Sequence, residues 1–569
     1  MVRYEFRIEQ PNQQYIQITA FFETSEEELK VHLPAWRPGR YELGNFAKNV
    51  KGLKVFSDQN KRLEVRKSDK DTWVIETANS NSIRVEYLYF ATELNAGSTY
   101  LSMQQLYVNP VNCCIYTSAQ FDDQITLDLY IPENWEIATS MTQNGRKLFA
   151  DNFDELADSP FMCSANLQHA TYNSGETLFH IWFNGEVKPD WDKLITDFQA
   201  FTNKQIEKFI EFPVSEYHFL FQIVPTRAYH GVEHCKSTVI LLGPSYDIFE
   251  GVYKDLLGVS SHELYHTWNV KAIRPIEMFP YDFKKENYSE LGYICEGITT
   301  YMGDLFLLKS GIFDVKQYLD EFTAQFQKHF DNHGRFNYSV AQSSFDTWLD
   351  GYVPGVPGRK VSIYTEGCLL AFVTDVMLLR ATNQKYGLDE VMKRLYFNYA
   401  LLGKGVSEKD YRSELENIAG ISFAEFFEHY VHGTDSYETI LTESLQYVGL
   451  ELVHQPSKSY SAGRLGFKFL ATAQNAAVSA IFPGSPAQLG GLMLGDEVVA
   501  VNSYLSAQDP DKWLSYFDSD PKRLTVNRTG KLIELSLPEV NRNFYSEYAI
   551  SPLKELNHQQ KKAFEAWVK

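Results

Sequence analysis

Leu256-Leu-Gly-Val-Ser-Ser-His-Glu-Leu-Tyr-His-Thr-Trp-Asn269 is the stretch around which the rest of the chain can be read, and its centre is His262-Glu-Leu-Tyr-His266. Histidines four apart on a helix lie on one face, one turn above the other, so both imidazoles can reach a single metal ion. Glu263 points about 100° round the helix from His262, at ~3.6 residues per turn. A carboxylate there stands beside the metal without ligating it, where a base acting on water belongs. The same pentapeptide also arises by chance on solvent-facing helices, so the flanking sequence must supply the rest of a site.

A catalytic zinc takes three protein ligands and leaves a fourth position for water. Downstream, Pro275 and Pro280 end the first helix and force a loop before the returning run Gly292-Tyr-Ile-Cys-Glu-Gly-Ile-Thr-Thr-Tyr-Met-Gly303. Glu296 is the only carboxylate in that run, among small residues (Thr299, Thr300, Gly303) that allow close helix packing. A buried glutamate is costly without a positive partner, and a zinc ion would be one. Glu296 is therefore expected as third ligand. Glu290 is the fallback, although it reads as a first-turn acidic residue near a helix start.

A chain of 569 residues is too long for one hydrophobic core, so three or four domains are expected. The net charge of −20 argues against nucleic acid and anionic membrane surfaces as partners. The aromatic share of 15% points to β-rich layers with a well-filled interior. Six scattered cysteines form no disulfide framework; Cys235 and Cys295, near the site, favour a reducing compartment. The N-terminus alternates like a strand and lacks the apolar region of a signal peptide. The longest nearly apolar run, Cys368 to Leu379, is too short to span a bilayer. A soluble, cytoplasmic protein is expected.

The fold class expected is multidomain α+β. Residues 1–165 alternate apolar and polar in short runs and read as an N-terminal antiparallel β-sandwich. Within it, Leu33-Pro-Ala-Trp-Arg-Pro-Gly-Arg-Tyr41 reads as a structural loop whose arginines could be functional. Residues 166–440 begin with strands and a helix from about 190 to 209. They continue as helices near 256–268, 290–309, 314–330, 362–381, 388–400 and 407–417, a mainly helical catalytic domain. Residues 441–540 read as a separate β module starting at Leu465-Gly-Phe-Lys-Phe. The tail, 541–569, holds a short helical run without an assigned role.

His262-Glu-Leu-Tyr-His-Thr-Trp-Asn269 and Glu296-Gly-Ile-Thr-Thr-Tyr301 resemble the zinc peptidases whose third ligand is a glutamate on a following helix. Within that group the chain most resembles the glycyl aminopeptidase family, in which a thermolysin-like domain lies between an N-terminal β domain and a PDZ domain. Leu33 to Tyr41 resembles the signature of that family's N-terminal domain. The resemblance implies zinc, one ion per chain, held by His262, His266 and Glu296, with Glu263 as general base. It implies a peptide substrate with a free N-terminus and a small first residue, glycine or alanine.

Two more motifs take roles from the resemblance. His230-Gly-Val-Glu-His234 resembles a segment of zinc aminopeptidases that forms an edge strand beside the substrate, so Gly231, Val232 and Glu233 are expected at the substrate. Glu233 would bind the α-ammonium through a charge-assisted hydrogen bond. His234 stands where relatives often have asparagine and takes no role. Tyr364-Thr-Glu-Gly367 resembles a segment whose tyrosine stabilises the tetrahedral intermediate, with Glu366 at the position of a lysine. Thermolysin-like sites often place an aspartate four residues after the ligand glutamate; this chain has Thr300 there and Asp304 one turn on. Leu465, Gly466 and Phe467 resemble a PDZ carboxylate loop, which implies either a peptide C-terminus as partner or packing on the catalytic domain. Two other readings stay open: an endopeptidase in which Glu233 is structural, and a PDZ-bearing interaction protein with a structural zinc site.

Overall fold

The computed structural model describes residues 1–77, 79–353, 355–471, 475–506 and 508–569. Three sheets fill the N-terminal region. The largest has seven strands in the order Thr142–Asn144, Lys147–Ala150, Ile125–Tyr130, Val2–Arg7, Tyr15–Glu23, Ser82–Phe90, Val50–Ser57. Alternation decides which face is covered. In Ser82–Phe90, Ile83, Val85, Tyr87 and Tyr89 point into a core shared with Tyr4, Phe6 and Trp36, while their neighbours face outward. The expected all-antiparallel sandwich needs one correction. Val2–Arg7 runs parallel to Ile125–Tyr130, which the long intervening chain permits and a tight hairpin would not.

The next sheet builds one wall of the site. Its five strands run Gln168–Ser174, Thr177–Asn184, Glu216–Ile223, Ser237–Gly243, Ala228–Glu233, which leaves Ala228–Glu233 on an edge. Behind it packs Trp191–Phe209, whose start is capped by Asp190 accepting from the Lys193 amide.

The remaining expected helices form at Tyr253–Tyr265, Thr299–Lys309, Val315–Asp331, Ile363–Ala381, Leu388–Asn398 and Glu408–Ala419. Ile363–Ala381 is covered nearly all round, which explains its long apolar run. Its buried Asp375 is satisfied by the Tyr301 hydroxyl at 2.6 Å and the Leu388 amide at 2.7 Å. Among the described residues no helix is long and apolar enough to cross a membrane.

Towards the C-terminus, Phe467–Ala471, Ala476–Ile481, Glu497–Val501, Lys522–Arg528 and Lys531–Leu537 form a sheet around a small core of their own. The strand expected from Leu465 starts two residues later. Ser461–Leu465 is a helical turn, and Gly466 at φ +72° swings the chain into the strand. The last residues do have a structural role. Ser546–Pro552 pairs with Leu450–Pro456, and His558–Val568 returns to the helical core, where Trp567 is buried and donates to the Tyr301 hydroxyl at 2.7 Å.

Candidate active site

Two pairs of backbones in contact bring the site together. A Cβ added to Gly303 would lie 2.9 Å from the His262 Cα, so Thr299–Lys309 packs flush on the histidine helix. A Cβ on Gly297 would lie 2.3 Å from the Gly367 Cα, so the turn carrying Glu296 touches the helix that opens with Tyr364. That turn, Tyr293–Ile298, is π-helical, a widened turn often found at functional sites. Asn269, fully buried, holds it by donating to the carbonyls of Ile294 and Cys295 at 2.9 and 3.1 Å and to the Thr299 hydroxyl at 3.0 Å.

His262, His266 and Glu296 converge with ligand atoms within 4.8 Å of one another. The two Nε2 atoms are 3.0 Å apart, and Glu296 Oε2 lies 3.3 Å from His266 Nε2 and 3.9 Å from His262 Nε2. His266 Nδ1 faces the Asn269 carbonyl at 3.1 Å, which assigns its proton to Nδ1 and leaves the Nε2 lone pair turned inward. Burial and His266 hold His262 well below the usual imidazole range. Burial opposes protonation of His266, yet the Glu296 carboxylate lifts it to about 9. Two imidazole nitrogens converging on a buried carboxylate are a donor set suited to a cation. Two imidazoles and one carboxylate are a catalytic zinc set. Glu290 is exposed and stands apart from this trio.

Glu263 and Glu233 lie beside the trio, both buried, and together with His266 they form an overlapping cluster. A Cβ on Gly231 would come within 2.1 Å of Glu263 Oε1, so only glycine lets the edge strand pass so close. Glu263 Oε2 is buried without a hydrogen-bond partner among the described residues. Burial, then Glu233 and Glu296, push the Glu263 carboxyl well above the usual carboxylate range, against the pull of His266. Gly231 and Glu233 line the cleft. Strand alternation turns the Val232 side chain away from it, to pack with Ala96, Tyr107 and Met162, so Val232 offers the cleft backbone only.

Tyr364 lines the same cleft, of about 1250 Å3. Burial and the Glu296 carboxylate raise its pKa well above normal, so the phenol keeps its proton. The Tyr352 phenol, absent from the sequence expectation, interacts with it and also lines the cleft. The glutamate in place of lysine has a local cause: buried Glu366 accepts from His329 Nδ1 at 2.7 and 2.9 Å. Thr300 donates to the Glu296 carbonyl, and Asp304 lines the cleft, where burial raises its carboxyl to about 7.

The loop Leu33 to Tyr41 reaches this site from the N-terminal region. Trp36, fully buried, donates to the Asp282 carbonyl at 2.8 Å, and Ala35 N donates to the Phe283 carbonyl at 2.8 Å. Gly39, at φ +79°, lies so close that a Cβ there would be 2.5 Å from Glu233 Oε2. Gly39 and Arg40 line the cleft. Pro38 and Gly39 could have flagged a close approach; nothing in the sequence says against what.

Leu465, Gly466 and Phe467 are not among the residues that line the cleft. Leu465 and Phe467 are buried, and a Cβ on Gly466 would meet Ser485 at 2.3 Å and Phe544 at 3.1 Å. A second histidine group, His180 and His218 with Glu216, also converges. There Trp182 Nε1 donates to His218 Nδ1 at 3.2 Å, leaving the proton on Nε2, so these stacked rings read as a hydrogen-bonded ladder on the sheet. All six cysteines are free, and burial raises Cys295 and Cys235, the latter to about 12, so both stay as thiols.

Residues 3–165 match the Peptidase M61 N-terminal domain, and residues 255–370 match the M61 glycyl aminopeptidase domain. The crystal structure of an aminopeptidase N family protein from Idiomarina loihiensis superposes with a TM-score of 0.92 at 25% identity, over 100% of both chains. An M1 zinc metallopeptidase from Deinococcus radiodurans gives a TM-score of 0.46 at 12% identity, over 76% of this chain and 94% of its own, too distant to argue from. No curated protein matches in sequence. Two domain models in the expected order, with a full-length structural match, identify the chain as a peptidase of the M61 glycyl aminopeptidase family.

Proposed function

We propose that the protein is a zinc aminopeptidase that removes a small N-terminal residue, glycine or alanine, from peptides. The observation that carries this reading is the buried Glu233 carboxylate at the edge strand, clustered with Glu263 and His266 beside the His262–His266–Glu296 trio. A buried anion one residue's reach from the reacting carbonyl selects a charged terminal ammonium.

His262, His266 and Glu296 would hold one zinc ion per chain. When bound, it supplies Lewis acidity to the scissile carbonyl and to water. Glu263 takes a proton from the attacking water and returns it to the leaving amine nitrogen. Its raised proton affinity suits it to carry that proton between the two steps. Tyr364 donates its phenolic proton in a hydrogen bond to the oxyanion of the tetrahedral intermediate. Glu233 accepts from the substrate ammonium, and the backbone of Gly231 and Val232 runs beside the peptide. We also assign residues 441–540 to a PDZ-like module.

The test is hydrolysis of glycyl p-nitroanilide beside its N-acetylated form, with metal content measured on the same samples. Cleavage of the free amine alone, with one zinc per chain, is expected. Equal cleavage of the acetylated compound would overturn the aminopeptidase reading, and full activity in Glu263→Gln would overturn the mechanism.

A further inference from the structure

The N-terminal region contributes to the cleft through one loop, and that loop is fixed in place. Trp36 packs edge-on against Tyr281 and Trp348, with ring centroids 5.3 and 5.0 Å apart. Arg37 is buried with its guanidinium against Gly97, where a Cβ would come within 1.9 Å of it. The wall beside Glu233 is therefore backbone, at Gly39, and it cannot recede without opening the interface between the two regions.

Arg40 is the side-chain part of that wall. Its side chain is about a third exposed and pairs with Glu42, and its Cζ stands 4.9 Å from the centre of the Tyr352 ring. Tyr352, in the turn after Asp350, interacts with Tyr364 and with the Tyr41 backbone of the same loop as Arg40. Both Arg40 and Tyr352 line the cleft with Gly39 and Glu233. A guanidinium over a ring is a modest, breakable contact.

We propose that Arg40 and Tyr352 form a bridge between the 33–41 loop and the turn after Asp350 at the Glu233 end of the cleft, and that this bridge limits the size of the substrate's first side chain. The proposal rests on the aminopeptidase reading, which places the first residue at Glu233. A glycine or alanine fits under the bridge. A larger first residue must displace Arg40 from both Tyr352 and Glu42, and this separates it from glycine.

The experiment compares kcat/KM for glycyl, alanyl, leucyl and aspartyl p-nitroanilides in the full-length, zinc-loaded protein and in Arg40→Ala. The leucyl-to-glycyl ratio is expected to rise about tenfold or more, the scale on which pockets discriminate single methylenes. Arg40→Gln, which keeps the length but not the cation, should give a smaller rise and covers the case in which the alanine variant folds poorly. A ratio within twofold of the parent in both variants overturns the bridge. So does an aspartyl substrate that is preferred by the parent and lost in Arg40→Ala, because Arg40 would then read charge rather than size. If the parent cleaves no aminoacyl anilide, the aminopeptidase reading has failed. Glycyl cleavage with an unchanged ratio sinks the bridge alone.

Discussion

The two ends of the cleft are held by different kinds of contact. At the metal-cluster end, backbones touch: Gly303 lies on His262, and Gly297 lies on Gly367. Those contacts are between helices buried in the catalytic region's cores, and close-packed backbone leaves little room for adjustment. At the Glu233 end, an edge strand meets a loop from the N-terminal region, and the wall is completed by the side chains of Arg40 and Tyr352. The rigid end suits chemistry that tolerates little misplacement. The adjustable end suits recognition. Substitutions at the first should therefore act on turnover, and those at the second on affinity and choice of substrate.

The largest expected effect is at Glu263. Glu263→Gln keeps the shape but cannot hold the proton, and kcat should fall by about 10³–10⁴. Zinc content should stay at the parent value. Loss of metal along with activity would show that Glu263 helps to assemble the site, which blurs the comparison. Next is Tyr364→Phe, which removes one oxyanion donor and should lower kcat about 10²–10³-fold with KM little changed. A change confined to KM would move Tyr364 to the recognition end. At that end, Glu233→Gln removes the charge facing the ammonium. A charge-assisted hydrogen bond is worth about 1.5–3 kcal/mol, so KM for glycyl p-nitroanilide should rise roughly 10- to 100-fold while kcat changes less. The acetylated substrate should gain relative to the free amine. If kcat drops as far as in Glu263→Gln, the two ends are one unit and the comparison fails.

The same contrast explains what the sequence made legible. The histidine pair, Glu263 and Glu296 lie within 35 residues, on helices whose periodicity and small residues are visible in the chain. Helix spacing alone puts two histidines on one face, and the Thr299–Gly303 run already suggests a close crossing. Tyr352 carried no signal, because it sits in a turn after Asp350 and acquires meaning only from its neighbours Tyr364 and Arg40. The 33–41 loop was legible as a loop, but its contact with Glu233 spans nearly 200 residues of sequence. Glu366 looked like a departure until His329, 37 residues away, supplied its partner. The terminal helix likewise needed Tyr301, 266 residues earlier, to become core. Long-range pairing of single polar groups has no period, so no pattern announces it.

The smallest expected effect comes from a residue that ties the two ends together. Asp158, at the end of the N-terminal region, accepts from Lys271 Nζ at 2.7 Å, from His234 Nδ1 at 3.1 Å and from the Cys235 amide at 2.7 Å. Lys271 follows the histidine helix, while His234 and Cys235 follow Glu233, so one carboxylate fixes the spacing between chemistry and anchor. Burial alone would raise the Asp158 pKa; the Lys271 ammonium and His234 outweigh it and hold the carboxyl well below the usual range. A depressed folded-state pKa contributes stability that is complete above the unfolded value, about 3.9, and is lost as pH falls below it. Asp158→Asn leaves the Lys271 ammonium buried without its anion, so the variant should melt lower than the parent at pH 7. The gap should narrow as pH falls below about 4, where the parent loses the same contribution. Because the substitution loosens spacing without touching substrate, KM should rise only about threefold to tenfold, within the range for residues that couple sites at a distance. Thermal melts from pH 3 to 7 beside glycyl p-nitroanilide kinetics check both limbs. A constant gap across that range would mean that Asp158 acts through packing and not through its charge, and the two ends of the cleft would then be set independently.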